Sequence, residues 1–177
     1  VGESYGTIRA AVLSRALLGG PFYTTFMRGI TLDGIVLVGS AIDGGAKGGA
    51  GVGALSATDP DAAAGVSLPG IATTAWYHGL IDRGGRDLEQ TYAAARDFGA
   101  HEYTDALRKL RAKELGADEQ QRIAAKLASF TGLPADAWMK ADLRISSGAY
   151  AKQALAARGL ELGAYDSRYT LPLPIDK

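Results

Sequence analysis

Residues Gly2-Glu3-Ser4-Tyr5-Gly6 read G-x-S-x-G. The chemistry this pattern can serve is nucleophilic. A serine at its centre sits on a sharp strand-to-helix turn, with the hydroxyl standing clear of a sheet. Small residues two positions to either side, here Gly2 and Gly6, let strand and helix approach closely. The backbone N–H after the serine points at the oxygen that gains charge when a carbonyl is attacked. The hydroxyl is a weak nucleophile by itself and needs a general base. The same residues fit a plainer reading, a glycine-rich turn whose serine caps the next helix.

The remaining reactive side chains are sparse. The chain has no cysteine, which excludes thiol nucleophiles, thiolate metal sites and disulfide scaffolds. Its two histidines, His78 and His101, have no ligand-like spacing, so no metal site is expected. His78 lies in the apolar stretch with Trp76 and Tyr77, and His101 opens a charged helix. Both read as packing or surface histidines rather than as the general base. Asp166 is the one tempting triad acid, yet no apolar strand precedes it. Asp43–Gly49 combines glycines with Lys47, but Lys47 precedes Gly48, the wrong order for a phosphate-binding loop. It reads as a flexible segment.

The elements that would position Ser4 follow in order. Residues 5–18 carry Ile8, Val12, Leu13, Ala16 and Leu17 at helical spacing, with small residues between. So apolar a helix is expected to be buried on more than one side, and Gly19-Gly20-Pro21 stops it. Ile35-Val36-Leu37-Val38 is an unbroken apolar run bounded by glycines, the pattern of a strand buried on both faces of a parallel sheet. A helix followed by such a strand is half of a βαβ unit, whose first strand would end near Val1. That strand–serine–helix–strand order is the one an α/β-hydrolase nucleophile requires.

Beyond a small-residue stretch, the pattern turns helical. Residues 71–81 form one apolar segment. Asp87 with Gln90, and Asp118 with Gln121, read as capping boxes. Residues 101–115 form an amphipathic helix with Tyr103, Leu107, Leu110 and Leu115 on one side. Ile123, Leu127 and Phe130 recur at helical spacing, and Gly132 closes that helix. Pro134 suits the first turn of a short helix carrying Trp138 and Met139. Ser146 caps a last helix through Leu155, closed by Gly159. The tail from Tyr165, with Pro172 and Pro174, reads as extended.

Composition narrows the class. The 177 residues are 47% apolar, and 19 basic side chains balance 19 acidic ones. A neutral chain argues against a general nucleic-acid binder. No window holds the ~18 consecutive apolar residues of a membrane span.

Gly-Glu-Ser-Tyr-Gly, with Glu before the serine and Tyr after it, resembles the serine carboxypeptidases. The similarity continues through Ile35–Asp43, through Leu68–Leu80 with Thr74-Ala75-Trp76-Tyr77-His78-Gly79, and at Asp166-Ser167-Arg168-Tyr169-Thr170. It is to the bacterial branch, with 44–67 less familiar. The resemblance implies an α/β fold: a partial α/β-hydrolase core over residues 1–43, a flexible connection over 44–70, a mainly helical cap over 71–164, and an extended return toward the core over 165–177. Ser4 is then the acylating nucleophile, and Tyr5 supplies an oxyanion-hole N–H. Glu3 binds the free C-terminal carboxylate of a peptide substrate, which requires a shared proton and favours mildly acidic pH.

The resemblance also implies that the chain is an internal piece, inert by itself. The triad acid and base would lie beyond Lys177, and the earlier strands and the other oxyanion donor ahead of Val1. Trp76, Tyr77, Trp138 and Met139 either line a specificity pocket in the cap or pack its core, the commoner use of such residues. No metal or cofactor is implied, no nucleic-acid or membrane partner, and the family's usual setting is outside the cytoplasm. Two other readings stay open: another capped hydrolase, such as an esterase, using the same serine, and a non-catalytic helical interaction module.

Overall fold

The computed structural model describes residues 1–18, 32–38 and 59–173. They are mainly helical with short strands and fall into two units, Val1–Pro60 and Asp61–Lys177. The expectation for 44–58 lies outside the described residues.

The first unit opens on β1 (Gly2–Glu3) and turns at Ser4 into α1 (Tyr5–Leu18). Then β2 (Leu37–Val38) returns parallel to β1, pairing Gly2 with Leu37 and Glu3 with Val38. Gly2 N–H donates to Val36 O at 2.8 Å and Ser4 N–H to Val38 O at 2.9 Å. A strand ending at the chain start and a parallel strand after the helix match expectation. The expected burial does not. Val12, Leu13, Ile35, Val36 and Val38 are between 44% and 63% exposed. Among the described residues this unit has two strands and one helix, and α1 packs on the β1–β2 pair as a single layer.

In the second unit, α2 (Pro60–Tyr77) replaces the flexible connection expected up to residue 70. The stretch is rich in alanine, a strong helix former, and Pro60 stands at the first helical position, where its missing N–H costs nothing. Its low side-chain volume hides the helix from a periodicity reading. Asp87 caps α3 (Leu88–Phe98) through the expected box: Asp87 accepts from Gln90 N–H at 2.8 Å, and Gln90 accepts from Asp87 N–H at 3.1 Å. A π turn over Gly99–Tyr103 joins α3 to α4 (Thr104–Ala112), which ends earlier than expected because Lys113 turns left-handed.

The helix α5 (Ala117–Thr131) buries Ile123, Leu127 and Phe130 as expected and closes on Gly132 at φ +75°. The second capping box is absent. Gly116 occupies the cap, and Asp118 lies inside the first turn, where its charge complements the helix dipole instead. Pro134 occupies the position just before α6 (Ala135–Lys140), not its first turn as expected, and makes no side-chain capping bond. Ser146 caps α7 (Ser147–Gln153), accepting from Ala149 N–H at 3.2 Å. A 3₁₀ turn over Ala156–Arg158 leads to β3 (Leu160–Leu162), a strand not foreseen, which pairs antiparallel with β4 (Thr170–Pro172) in the extended tail.

This unit has a core of its own. Leu68, Ile71, Leu107, Leu127, Trp138 and Tyr150 lie within one cluster, and Phe98 stacks between Tyr103 at 6.1 Å and Phe130 at 5.6 Å. Asp61 is wholly buried near the start of α2, its carboxylate paired with Arg111 and Arg144.

Candidate active site

Ser4 stands where β1 ends and α1 begins, with its backbone at φ +50°. Left-handed backbone costs a non-glycine residue about 1–3 kcal/mol and persists only where the surroundings impose it. Here they do. Ser4 N–H is tied to Val38 O, and Ser4 O accepts from Thr7 N–H at 2.9 Å and Thr7 Oγ1 at 2.6 Å. Lys113, Asp142 and Leu143 also have positive φ, but they lie after helices of the second unit.

The geometry separates the two readings of Ser4. A capping residue has extended backbone and accepts from a first-turn N–H through its side chain. Ser146 does this at φ −68° and ψ 156°, and Asp87 at φ −76° and ψ −179°. Ser4 has the opposite sign of φ. Its side chain is exposed, and among the described residues its Oγ makes no hydrogen bond.

The flanking glycines are unequal. Gly2 is buried, and a Cβ there would drive into Gly6 O and reach Ala10 Cβ at 3.0 Å. A Cβ on Gly6 would meet nothing within 4 Å among the described residues. The close approach expected of both glycines therefore depends on Gly2, with Gly6 supplying the backbone it meets. Tyr5 opens α1, so its N–H is one of the first-turn donors with no carbonyl partner inside the helix. The Tyr5 ring is exposed, with the Arg9 guanidinium 5.7 Å from its centre. Glu3, next along the strand from buried Gly2, is exposed, and among the described residues its carboxylate is unpaired.

In the second unit, His78 Nε2 lies 2.7 Å from Ser167 O. A carbonyl only accepts, so this nitrogen carries the proton and donates. Ser167 Oγ also meets Thr74 Oγ1 at 2.8 Å, so His78 and Thr74 together latch α2 and its C-terminal turn to the hairpin loop. His101 sits exposed beside Asp97, with Nδ1 3.3 Å from its carboxylate. Asp166 is forked by Arg168, with Nε at 3.0 Å and Nη2 at 2.6 Å. The Arg168 side-chain bond, reinforced by its N–H, holds the Asp166 carboxyl down at about 2. Asp166 thus orders a turn.

The four candidate pocket residues separate as well. Trp138 is fully buried, donating Nε1–H to Thr131 Oγ1 at 3.1 Å, and Met139 packs against the same core. Trp76 is half-buried, donating to Arg86 O at 3.0 Å under the Arg83 guanidinium, 4.1 Å from a ring centre. Tyr77 is exposed. An open groove of about 160 Å³ between α2 and α3 is lined instead by Gly65, Val66, Pro69, Tyr92, Arg96 and Ala100.

Thr7 carries the residue contact that the motif reading leaves out. A hydroxyl three residues after the candidate serine is its sequence signal. Among the described residues no three His, Asp or Glu side chains gather to hold a metal ion, and no helix is long and apolar enough to cross a membrane. No family model, curated protein or solved structure matches this chain.

Proposed function

We propose that Ser4 is the acylating nucleophile of a serine carboxypeptidase, with residues 1–43 belonging to an α/β-hydrolase core and the helices after it to a cap. One observation carries the reading: the left-handed backbone of Ser4 at a strand–helix junction, with its N–H bonded to a parallel strand. A nucleophile elbow needs that conformation to project the hydroxyl, whereas a helix cap needs the opposite one. The closed core of the second unit suits an inserted cap. The exposed apolar side chains Val12 and Leu13 of α1 and Val38 of β2 suit elements of a larger sheet.

In this reading a base takes the Ser4 proton as Oγ attacks the scissile carbonyl. The oxyanion is met by Tyr5 N–H, a kind of contact whose removal costs ~100- to 1,000-fold in rate. Collapse expels the amine of the C-terminal residue with a proton, and water then releases the acyl group from Ser4. Glu3, beside the nucleophile, holds the C-terminal carboxylate through a shared proton, so peptide cleavage improves at mildly acidic pH. His78 and Asp166, engaged in the hairpin latch and turn, are given no part in the triad.

A fluorophosphonate probe on the full-length protein tests this. Labelling is expected in the wild type and absent in Ser4→Ala; equal labelling of both overturns the nucleophile. Peptides with free and amidated C-termini test the substrate class. A preference for the free carboxylate, weakened in Glu3→Gln, is expected. Indifference, together with turnover of simple esters, points to an esterase-like hydrolase instead.

A further inference from the structure

Ser4 and Tyr5 share one trans peptide, since no cis bond occurs among the described residues. In such a unit the C=O of the first residue and the N–H of the second point in opposite directions from one plane. Fixing the Ser4 oxygen therefore fixes where the Tyr5 N–H points. The oxygen is held twice by the same residue, through Thr7 N–H at 2.9 Å and Thr7 Oγ1 at 2.6 Å. A carbonyl that accepts bonds also polarises its amide, which makes the attached N–H a stronger donor.

Hydroxyls that bond back to a carbonyl three or four residues earlier are common in helices. Ser14 does so to Ala10 O at 2.7 Å, and Thr74 to Gly70 O at 2.9 Å. Thr7 is wholly buried, as is Thr131, whose Oγ1 bonds Leu127 O at 2.8 Å, so water does not compete for either hydroxyl. What sets Thr7 apart is its acceptor, which belongs to the residue with left-handed backbone, so that two bonds rather than one hold that peptide against relief of strain.

We propose that Thr7 is a positioning residue: its hydroxyl locks the Ser4–Tyr5 peptide plane and aims the Tyr5 N–H at the oxyanion. This rests on the reading of Ser4 as nucleophile. Losing the hydroxyl leaves the backbone bond in place, so the donor is misaimed rather than removed. The effect is then smaller than deleting an oxyanion donor, about tenfold in rate.

The test uses the full-length protein with Thr7→Val, which keeps the shape, and Thr7→Ser, which keeps the hydroxyl. The readouts are kcat and KM on a peptide with a free C-terminus, and affinity for a peptide aldehyde, whose adduct with the serine places an oxyanion where the transition state does. For Thr7→Val, kcat is expected to fall about tenfold and aldehyde affinity in parallel, with KM within about twofold. Thr7→Ser is expected to recover most of both. Unchanged kcat and aldehyde affinity in folded Thr7→Val overturns the proposal, as does failure of folded Thr7→Ser to recover them. If Thr7→Val does not fold, Thr7→Ala is read by the same ratio of aldehyde affinity to KM. The Ser4→Ala labelling control separates the two claims. If Ser4→Ala labels like wild type, the nucleophile reading falls and this proposal with it. If labelling is lost but Thr7→Val behaves as wild type, only the Thr7 proposal falls.

Discussion

Gly65 and Gly99 meet backbone to backbone: a Cβ built on either one lands on the carbonyl oxygen of the other. The local chemistry on both sides permits this. Pro69 has no N–H to donate to Gly65 O, its partner four residues back in α2, so that oxygen is free of the helix ladder. Across the contact, Gly99 begins the π turn, and its carbonyl accepts Thr104 Oγ1 at 2.7 Å. Helix α2 can therefore lie directly on the α3–α4 joint.

Gly65→Ala is expected to destabilise the second unit by about 1–3 kcal/mol, because the added methyl meets rigid backbone and not a yielding side chain. Gly70→Ala is the control. It lies exposed in the same helix, a Cβ there meets nothing, and the change is expected to stabilise by about 0.5–1 kcal/mol. Urea denaturation of the two variants measures the difference, which should have opposite signs.

The Asp61 cluster should respond according to which charge is left behind. Asp61 is wholly buried, whereas the Arg111 and Arg144 side chains are 57% and 37% exposed. The double variant Arg111→Gln/Arg144→Gln takes both of these guanidiniums from a buried carboxylate and is expected to cost about 3–5 kcal/mol. Asp61→Asn leaves two guanidiniums that reach water and is expected to cost only about 1–2 kcal/mol. Equilibrium unfolding of the three proteins ranks them, and the reverse order would refute this account.

At the turn before α1 the two motif glycines should diverge. Gly2→Ala pushes a methyl into Gly6 O, forcing helix from strand and disturbing Ser4 between them. Fluorophosphonate labelling of the full-length protein is expected to slow by at least about tenfold, because a small misplacement at a reacting centre is costly. Gly6→Ala, which meets open space among the described residues, is expected to label within a few-fold of wild type.

Asp166 and Arg168 give a pH dependence with a definite sign. The folded-state carboxyl is held at about 2, below its unfolded value, mainly by the Arg168 side-chain bond. The stabilisation is therefore complete above about pH 4 and is lost as pH falls toward about 2. NMR titration of the Asp166 carboxyl carbon should show the low midpoint in wild type. In Arg168→Gln it should move up toward the ordinary carboxylate value, about 3.9, and stop short of it, because the backbone N–H of residue 168 still donates to Asp166.

Much of this fold is legible in the chain because it is decided within a few residues. Asp87 and Gln90 satisfy each other's backbone three positions apart, Ser146 reaches Ala149, and Gly132 takes the left-handed turn that ends α5. The helix start at Pro60 escapes because alanines and glycines leave no apolar stripe to read. The strand at Leu160–Leu162 escapes because three residues carry too short an alternation, and its stability lies in pairing with Thr170–Pro172. Asp118 misleads because a carboxylate can serve a helix N-terminus either as a cap or by charge from within the first turn.

By itself, then, the sequence determined the strand–serine–helix–strand order around Ser4, most helix caps and the apolar face of α5, all set by neighbours within a turn or two. Tertiary structure decided that the left-handed turn at Ser4 is held, because its N–H bonds Val38 O in a separate strand, while Thr7 adds a local bond three residues away. It likewise decided that Trp138 is core while Tyr77 is exposed, and that Asp61 meets Arg144 across 83 residues. Burial, strain and ion pairing belong to contacts between segments distant in the chain, so their energies do not exist until those segments meet.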